Sequence, residues 1–406
     1  MLFLLACTEV EDKDPRSRDS GRPPDNDTAA DSGHEDSGKP SDLPAASELV
    51  DEIRADNAAM LHLSQDGGWP VETQDGRLFV YLRDGDWSLS GEFNDWAEEP
   101  MNCRDGLCWL VVSDPSGGYK FTNGSAWIAD PWSRQYTYDD NGEMSLVNEA
   151  STRLERHFGV AGIYMGARTL RVLVPGGGHD RTLFMHDGQN LFDPEAIWGG
   201  WHVQDSAPSG LLVVGIDNTD ERFEEYTHVP DQIDGDWYGG EGDEYADFVQ
   251  GTIRPFVASH YGEPGPVGTL GSSLGGLISL HIAGRYPGEY AFAGSMSGTL
   301  GWGSIGADND TMIQLYAAAG HRDTVLYIDS GGNGDTCADK DGDGTNDDDL
   351  TASDNYCETI QMRDTLVGLG YEYEKDLFHW WEPGAEHDEM AWAARVDLPL
   401  GVFVSL

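Results

Sequence analysis

The stretch GTLGSSLGGLISLH, Gly268 to His281, decides how this chain is read. An apolar run, PVGTL, leads into it and a helical run, LGGLISLHIAGRYP, leads out of it. Small residues between a strand and a helix permit a sharp backbone turn, and a serine at its tip meets a helix N-terminus whose field favours a developing oxyanion. Only Ser273 stands in a Gly-x-Ser-x-Gly frame, as Gly271, Ser272, Ser273, Leu274, Gly275. With 52 glycines in 406 residues the frame is weak alone. Its strand-to-helix setting is what marks Ser273 as a nucleophile rather than an N-capping serine in a glycine-rich turn.

A serine hydroxyl needs a base to attack anything. His387, in WWEPGAEHDEMAW, lies in a glycine-containing loop after the apolar run LFHWW and before the last helix, where the order Ser, acid, His expects it. His379 sits inside the strand run and reads as packed, while His186 precedes the turn and His281 lies too near it. The acid should follow the strand TVLYIDSGG. Asp335, just past that strand, is the first choice; Asp354 competes if the intervening loop folds away, and Asp329 points within the strand.

From residue 151 to 406, short apolar runs (TLRVLVP, RTLFMH, LLVVGID, PVGTL, YAFAGSMS, TVLYIDSGG and DLFHWWEP) alternate with helical stretches. Runs of that kind are buried in a largely parallel sheet, so the expected class is a doubly wound α/β sandwich. Residues 48–147 read differently, as aromatic and β-branched runs broken by turn signals with no long helical period, which predicts a small β-sandwich. Residues 8–47 are Asp, Ser, Pro and Gly with almost no large apolar side chain, too poor to fold and therefore a disordered acidic tether.

The formal charge is −49, from 73 acidic and 24 basic residues, which would repel phosphate backbones and excludes nucleic acid as a partner. Four of the five cysteines form two local pairs, Cys103 with Cys108 and Cys337 with Cys357; as disulfides they imply an oxidising, extracytoplasmic compartment. The fifth, Cys7, ends LLAC, which resembles the lipobox of bacterial lipoproteins, so residues 1–7 read as a signal remnant and Cys7 as a lipid anchor in the cell envelope. Six residues are short for a leader, and that reading expects translation to start upstream.

Several motifs together, FMHDGQNLFD, LLVVGIDNTDERFEEY, GTLGSSLGG and PGAEHDEMAWAAR, resemble the esterase family that contains enterochelin esterases, feruloyl esterases and esterase D, over essentially all of residues 151–406. The resemblance implies an α/β-hydrolase fold and a serine carboxylic-ester hydrolase working through an acyl-enzyme with no catalytic cofactor. It implies Ser273 as nucleophile, His387 as base and Asp335 as its orienter. In the DGQN loop, Asp187 to Asn190, it implies that the backbone N–H of Gln189 joins that of Leu274 in binding the oxyanion. The upstream pieces SGEFNDW and YKFTNGSAWIADPWSRQY resemble early-set immunoglobulin-like domains related to glycogen-binding modules, where Trp87, Phe93, Trp96 and Trp127 would either fill the sandwich core or stack on a glycan.

The insertion CADKDGDGTNDDDLTASDNYC departs from the family pattern. Asp339, Asp341, Asp343 and Asp347 recur as in the calcium loops of EF-hands and thrombospondin-type repeats, with Gly344 at the bend, and predict a structural calcium ion. Leu350 stands where an EF-hand has its twelfth-position Glu, which predicts weak affinity. Trp198, Trp201, Trp302, Trp380 and Trp381 either pack or line an aryl or apolar acyl pocket. Two other classes stay open: a noncatalytic surface protein binding glycan and calcium, and an acyltransferase on the same fold.

Overall fold

Two short helices, Ala46–Ala55 and Ala59–Asp66, open the described chain and correct the expected boundary, because the first begins inside the predicted tether and both precede any strand. Leu49, Val50 and Ile53 form an apolar stripe on the first helix, and Met60 continues the buried surface on the second. The computed structural model describes residues 43–334, 336–348 and 354–406. Cys7, the tether up to residue 42, Asp335 and Leu350 lie outside the described residues.

The strands of the first half are β1 (Val71–Thr73), β2 (Gly76–Leu82), β3 (Ser88–Gly91), β4 (Glu99–Pro100), β5 (Asn102–Arg104), β6 (Leu107–Val112), β7 (Gly117–Thr122), β8 (Trp127–Ile128), β9 (Gln135–Asp139) and β10 (Gly142–Val147). A four-stranded sheet, in the order β1-β2-β6-β5, faces β3 and β7 across a core. Strand β2 shows why both of its faces are covered. Leu78 and Val80 point to the two helices, while Phe79 and Tyr81 enter the sandwich with Leu89, Tyr119 and Phe121. The β5–β6 hairpin turns at Asp105 and Gly106, both at positive φ, and the Cys103–Cys108 disulfide joins its facing residues.

The second half adds β11 (Arg153–Val160), β12 (Arg168–Val174), β13 (Arg181–His186), β14 (Leu211–Ile216), β15 (Pro230–Ile233), β16 (Asp236–Gly239), β17 (Val267–Ser272), β18 (Phe292–Met296), β19 (Val325–Ser330) and β20 (Leu377–Trp381). Strands β14, β13, β17, β18, β19 and β20 are parallel neighbours, whereas β11 and β12 run antiparallel at the other side. Both faces of this sheet are covered, as continuous apolar strands require. On β14, Leu212, Val214 and Ile216 meet the helices Gly242–Phe248, Arg254–Tyr261 and Leu274–Arg285, while Leu211 and Val213 meet Trp201, Trp392, Val396 and Phe403.

The two halves are not separate beads. β11 pairs with β9, Leu154 opposite Tyr136 and Glu155 opposite Gln135, so one sheet runs from β20 to β4 in the order β20-β19-β18-β17-β13-β14-β12-β11-β9-β10-β7-β3-β4. Tyr136 and Leu154 sit in the same core as Leu183, Val213 and Phe292 of the parallel strands, which continues the packing across the junction. No helix among the described residues is long and apolar enough to cross a membrane.

Candidate active site

At the carboxyl end of β17 the chain reverses into the helix Leu274–Arg285 through Ser273, whose φ of 54° and ψ of −125° are strained for any residue with a Cβ. Glycines permit the pinch. A Cβ on Gly271 would lie 2.5 Å from Gly275 O, and one on Gly276 would lie 2.5 Å from Ser295 Oγ. Ser273 N donates to Met296 O at 2.9 Å, which ties the bend to the neighbouring strand β18. Leu274 is the first residue of the helix, so its N–H has no acceptor within the helix.

The DGQN turn abuts this helix start: a Cβ on Gly275 would lie 3.3 Å from both His186 Cβ and Asp187 Oδ2. Asp187, at φ 57°, is held by Arg222 through Nε at 2.8 Å and Nη2 at 2.9 Å, and by Asn218 Nδ2 at 2.6 Å. Burial pushes the Asp187 carboxyl up, but Arg222 and Asn218 outweigh it and hold the group below its ordinary range. Gln189 Oε1 accepts from Asn218 N at 3.1 Å, which anchors the side chain and leaves the backbone N–H of Gln189 in the first turn of a 3-10 segment. His186 is pushed down to about 3 by burial, hydrogen-bonds Tyr245 Oη and Thr269 Oγ1, and is structural.

His387 follows β20, with its ring edge-on to Trp392 at 5.1 Å between centroids. Its Nδ1 lies 2.5 Å from Asp354 Oδ1. A carboxylate only accepts, so the imidazole proton belongs on Nδ1 and Nε2 is left as the basic nitrogen. The partner is therefore Asp354, the competing choice, while Asp335 lies outside the described residues. Asp354 and Asn355 both have positive φ immediately before the helix Tyr356–Gly368, and Asn355 Nδ2 donates to Ser297 O at 2.9 Å. Thr299 N donates to Ser273 O at 3.3 Å, so the segment after β18 touches both the bend and the acid. Asp329 is fully buried on β19 and paired with Arg395, as its place within the strand implied.

The insertion carries the acid to its place. Cys337 and Cys357 form a disulfide three residues beyond Asp354, and Asp348 accepts from Cys357 N at 2.7 Å, tying the loop to the helix that Asp354 precedes. Within the loop, Asp339, Asp341 and Asp347 each bring one carboxylate oxygen to within 4.8 Å of the others. Asp343 does not join them; its Oδ1 accepts from Thr345 N at 2.7 Å. An all-carboxylate set suits a hard cation such as calcium. Of the five tryptophans, Trp201 and Trp302 are core residues, whereas Trp198, Trp380 and Trp381 are partly exposed. Trp87 is buried and Phe93 partly so, while Trp96 and Trp127 are exposed side by side, 6.2 Å between centroids.

The family described as "Putative esterase" matches residues 166–397, the span that holds the DGQN turn, Ser273, Asp354 and His387. This chain belongs to that family. An uncharacterized protein of Bacillus subtilis (strain 168), YbbA, is 29% identical over 124 residues, which is 29% of this chain and 49% of that protein, so the chain spans about half the length of the curated relative it matches. Among solved structures, an IroE-like serine hydrolase from Shewanella oneidensis is similar with a TM-score of 0.48 and 16% identity, over 62% of this chain and 80% of its own. The enterobactin esterase FES of Shigella flexneri is similar at 0.45 and 13%, over 81% and 93%. The siderophore hydrolase EstB of Aspergillus nidulans is similar at 0.42 and 18%, over 64% and 97%.

One group that the motifs did not single out is Glu389, buried to 1% exposure two residues after His387. Its Oε1 accepts from Asn190 Nδ2 at 3.0 Å, linking the DGQN turn to the segment that carries His387, and its Oε2 is buried without a partner among the described residues. Burial, reinforced by Asp187, pushes the carboxyl up to about 7. A carboxyl raised in the folded state contributes stability that is complete below its ordinary pKa of about 4.3 and lost as pH rises through about 7. Glu389→Gln imitates the protonated form. Its melting temperature should match the parent's at about pH 4 and exceed it by several degrees at about pH 8.5, the difference being about 3 kcal/mol at most. Melting curves that track each other across this range would refute the assignment.

Proposed function

We propose that this chain is a serine carboxylic-ester hydrolase in which Ser273, His387 and Asp354 act in turn. The observation that carries the reading is the Asp354–His387 contact, which leaves Nε2 as the basic nitrogen a serine hydrolase needs, in a chain that holds Ser273 on a strained strand-to-helix bend. Ser273 Oγ attacks the ester carbonyl while His387 Nε2 takes its proton. The backbone N–H groups of Leu274 and Gln189 receive the oxyanion, at about 3 kcal/mol each. Asp354 stabilises the imidazolium, which returns the proton to the leaving alcohol as the carbon–oxygen bond breaks. Water then repeats the sequence on the acyl-enzyme and frees the acid and Ser273. Trp198, Trp380 and Trp381 favour an aryl or apolar ester, of the kind cleaved by enterochelin and feruloyl esterases. The two disulfides favour an extracytoplasmic setting, with Cys7 as the lipid anchor.

The same proposal includes two accessory sites. Calcium would be held by Asp339, Asp341 and Asp347, steadying the insertion that ends at Asp354. A glycan would stack on Trp96 and Trp127, whose exposure as a pair favours binding over packing for these two of the four aromatics.

Short-chain aryl esters should be cleaved by the full chain, with kcat lowered about a thousandfold or more in Ser273→Ala and about a hundredfold or more in Asp354→Asn. Asp335→Asn should retain activity. Retained activity in Asp354→Asn together with loss in Asp335→Asn would return the role to Asp335. No turnover and no labelling of Ser273 by a fluorophosphonate would favour a noncatalytic binding protein, and products formed preferentially with an added alcohol would mark an acyltransferase. Chelation should lower the melting temperature of the full chain, and calcium should restore it; an unchanged melt removes the metal. Retention on immobilised α-glucan should fall in the Trp96→Ala, Trp127→Ala double variant, and equal retention by the parent and the variant removes the glycan site.

A further inference from the structure

Behind the Asp354 carboxylate lies a buried polar cluster that a bare triad does not need. Ser297, the residue after β18, is fully buried and holds φ at 47°. Six contacts keep it there, one of them from its N to Asp329 Oδ1 at 3.1 Å. Its N donates to Asp329 O at 2.9 Å and its O accepts from Asn355 Nδ2. Its Oγ accepts from Arg395 Nη2 at 2.7 Å and from Trp392 Nε1 at 3.1 Å, and lies 2.7 Å from Asp354 Oδ2. Two incoming donors fill both acceptor positions of a hydroxyl, so the single Ser297 proton can point only at Asp354. The direction of this bond follows from counting.

Arg395 is fixed in its turn. Nε and Nη2 each lie 3.1 Å from an oxygen of Asp329, and Nη1 donates to Ala391 O at 2.8 Å. Tyr327 Oη also donates to Asp329, at 2.9 Å. Asp354 Oδ2 thus receives Ser297 Oγ and Gly331 N, with Arg395 Nη2 at 3.8 Å, and Oδ1 is left to His387. Two buried carboxyls, Asp329 and Asp354, thus share the one Arg395 guanidinium.

We propose that Ser297, oriented by Arg395 and Trp392, is a positioning residue that holds Oδ2 of the Asp354 carboxylate and so turns Oδ1 toward His387. The inference rests on the reading of Asp354 and His387 as acid and base. It extends that triad by a second layer in which each hydrogen bond has one allowed direction.

Ser297→Ala and, as a milder change, Trp392→Phe test it in the full chain by two readouts. The first is the far-downfield proton resonance of His387 Nδ1–H, which reports the bond to Asp354 and needs no substrate. The second is the split between kcat and KM on an aryl ester. Ser297→Ala should displace or broaden the resonance and lower kcat about 10- to 100-fold with KM within about twofold; Trp392→Phe should do the same to a smaller degree. A folded Ser297→Ala with the parent's resonance and kcat overturns the proposal. So does a loss that appears in KM and kcat alike with the resonance unmoved. If Ser297→Ala does not fold, Trp392→Phe decides by the same criteria. Absence of ester cleavage in the parent would sink the hydrolase reading, while the resonance comparison would still decide the role of Ser297.

Discussion

Close approach between β17 and the helix that follows it is the constraint on which the site depends. Gly271, Gly275 and Gly276 let backbone and side-chain atoms come nearer than any Cβ would allow, and the cost of that approach appears as the left-handed φ of Ser273. The strain persists because its surroundings over-determine it: Met296 O and Thr299 N hold Ser273 from the β18 side, and Asp187 and His186 close on Gly275 from the other. The serine, the Leu274 N–H and the DGQN turn therefore share one geometric cause.

The His387–Asp354 pair is assembled by a different means. They come from two loops, one after β20 and one after β19, whose positions are set by buried polar contacts rather than by close packing of glycines. Asp348, the Cys337–Cys357 disulfide and the positive-φ pair Asp354–Asn355 deliver the carboxylate, while Asp388, whose side chain accepts from Ala391 N, starts the helix that follows His387. The insertion, which looks like a decoration on the fold, thus carries the carboxylate that meets His387.

The sequence made the parallel strands legible because each is buried on both faces and is therefore a run of apolar residues. The bend at Ser273 and the loop that holds His387 were legible because each lies between an apolar strand run and a helical run. Asp354 was harder to choose: distance along the chain from β19 says nothing about where a long insertion folds, and Asp335 stood nearer. The Asp-Asn pair directly before a helical run, apt for left-handed backbone, was the available signal. The hairpin β15–β16 had its own mark in Asp234–Gly235, both at positive φ. Arg395, Ser297 and Glu389 left no such trace, since a buried polar contact across tens to hundreds of residues has no local periodicity. The first helix was hidden by its charge and its shortness; its stripe is only Ala46, Leu49, Val50 and Ile53.

Because β9 bonds to β11, the first half of the chain also acts as the sheet's terminal cover. Cut off at residue 150, the remainder would present β11 as a bare edge, with unpaired backbone donors and acceptors beside the newly uncovered Leu154. Such an edge recruits strands from other molecules. The N-terminal module thus covers, whatever else it binds, an edge of the larger sheet that would otherwise be open to strand pairing.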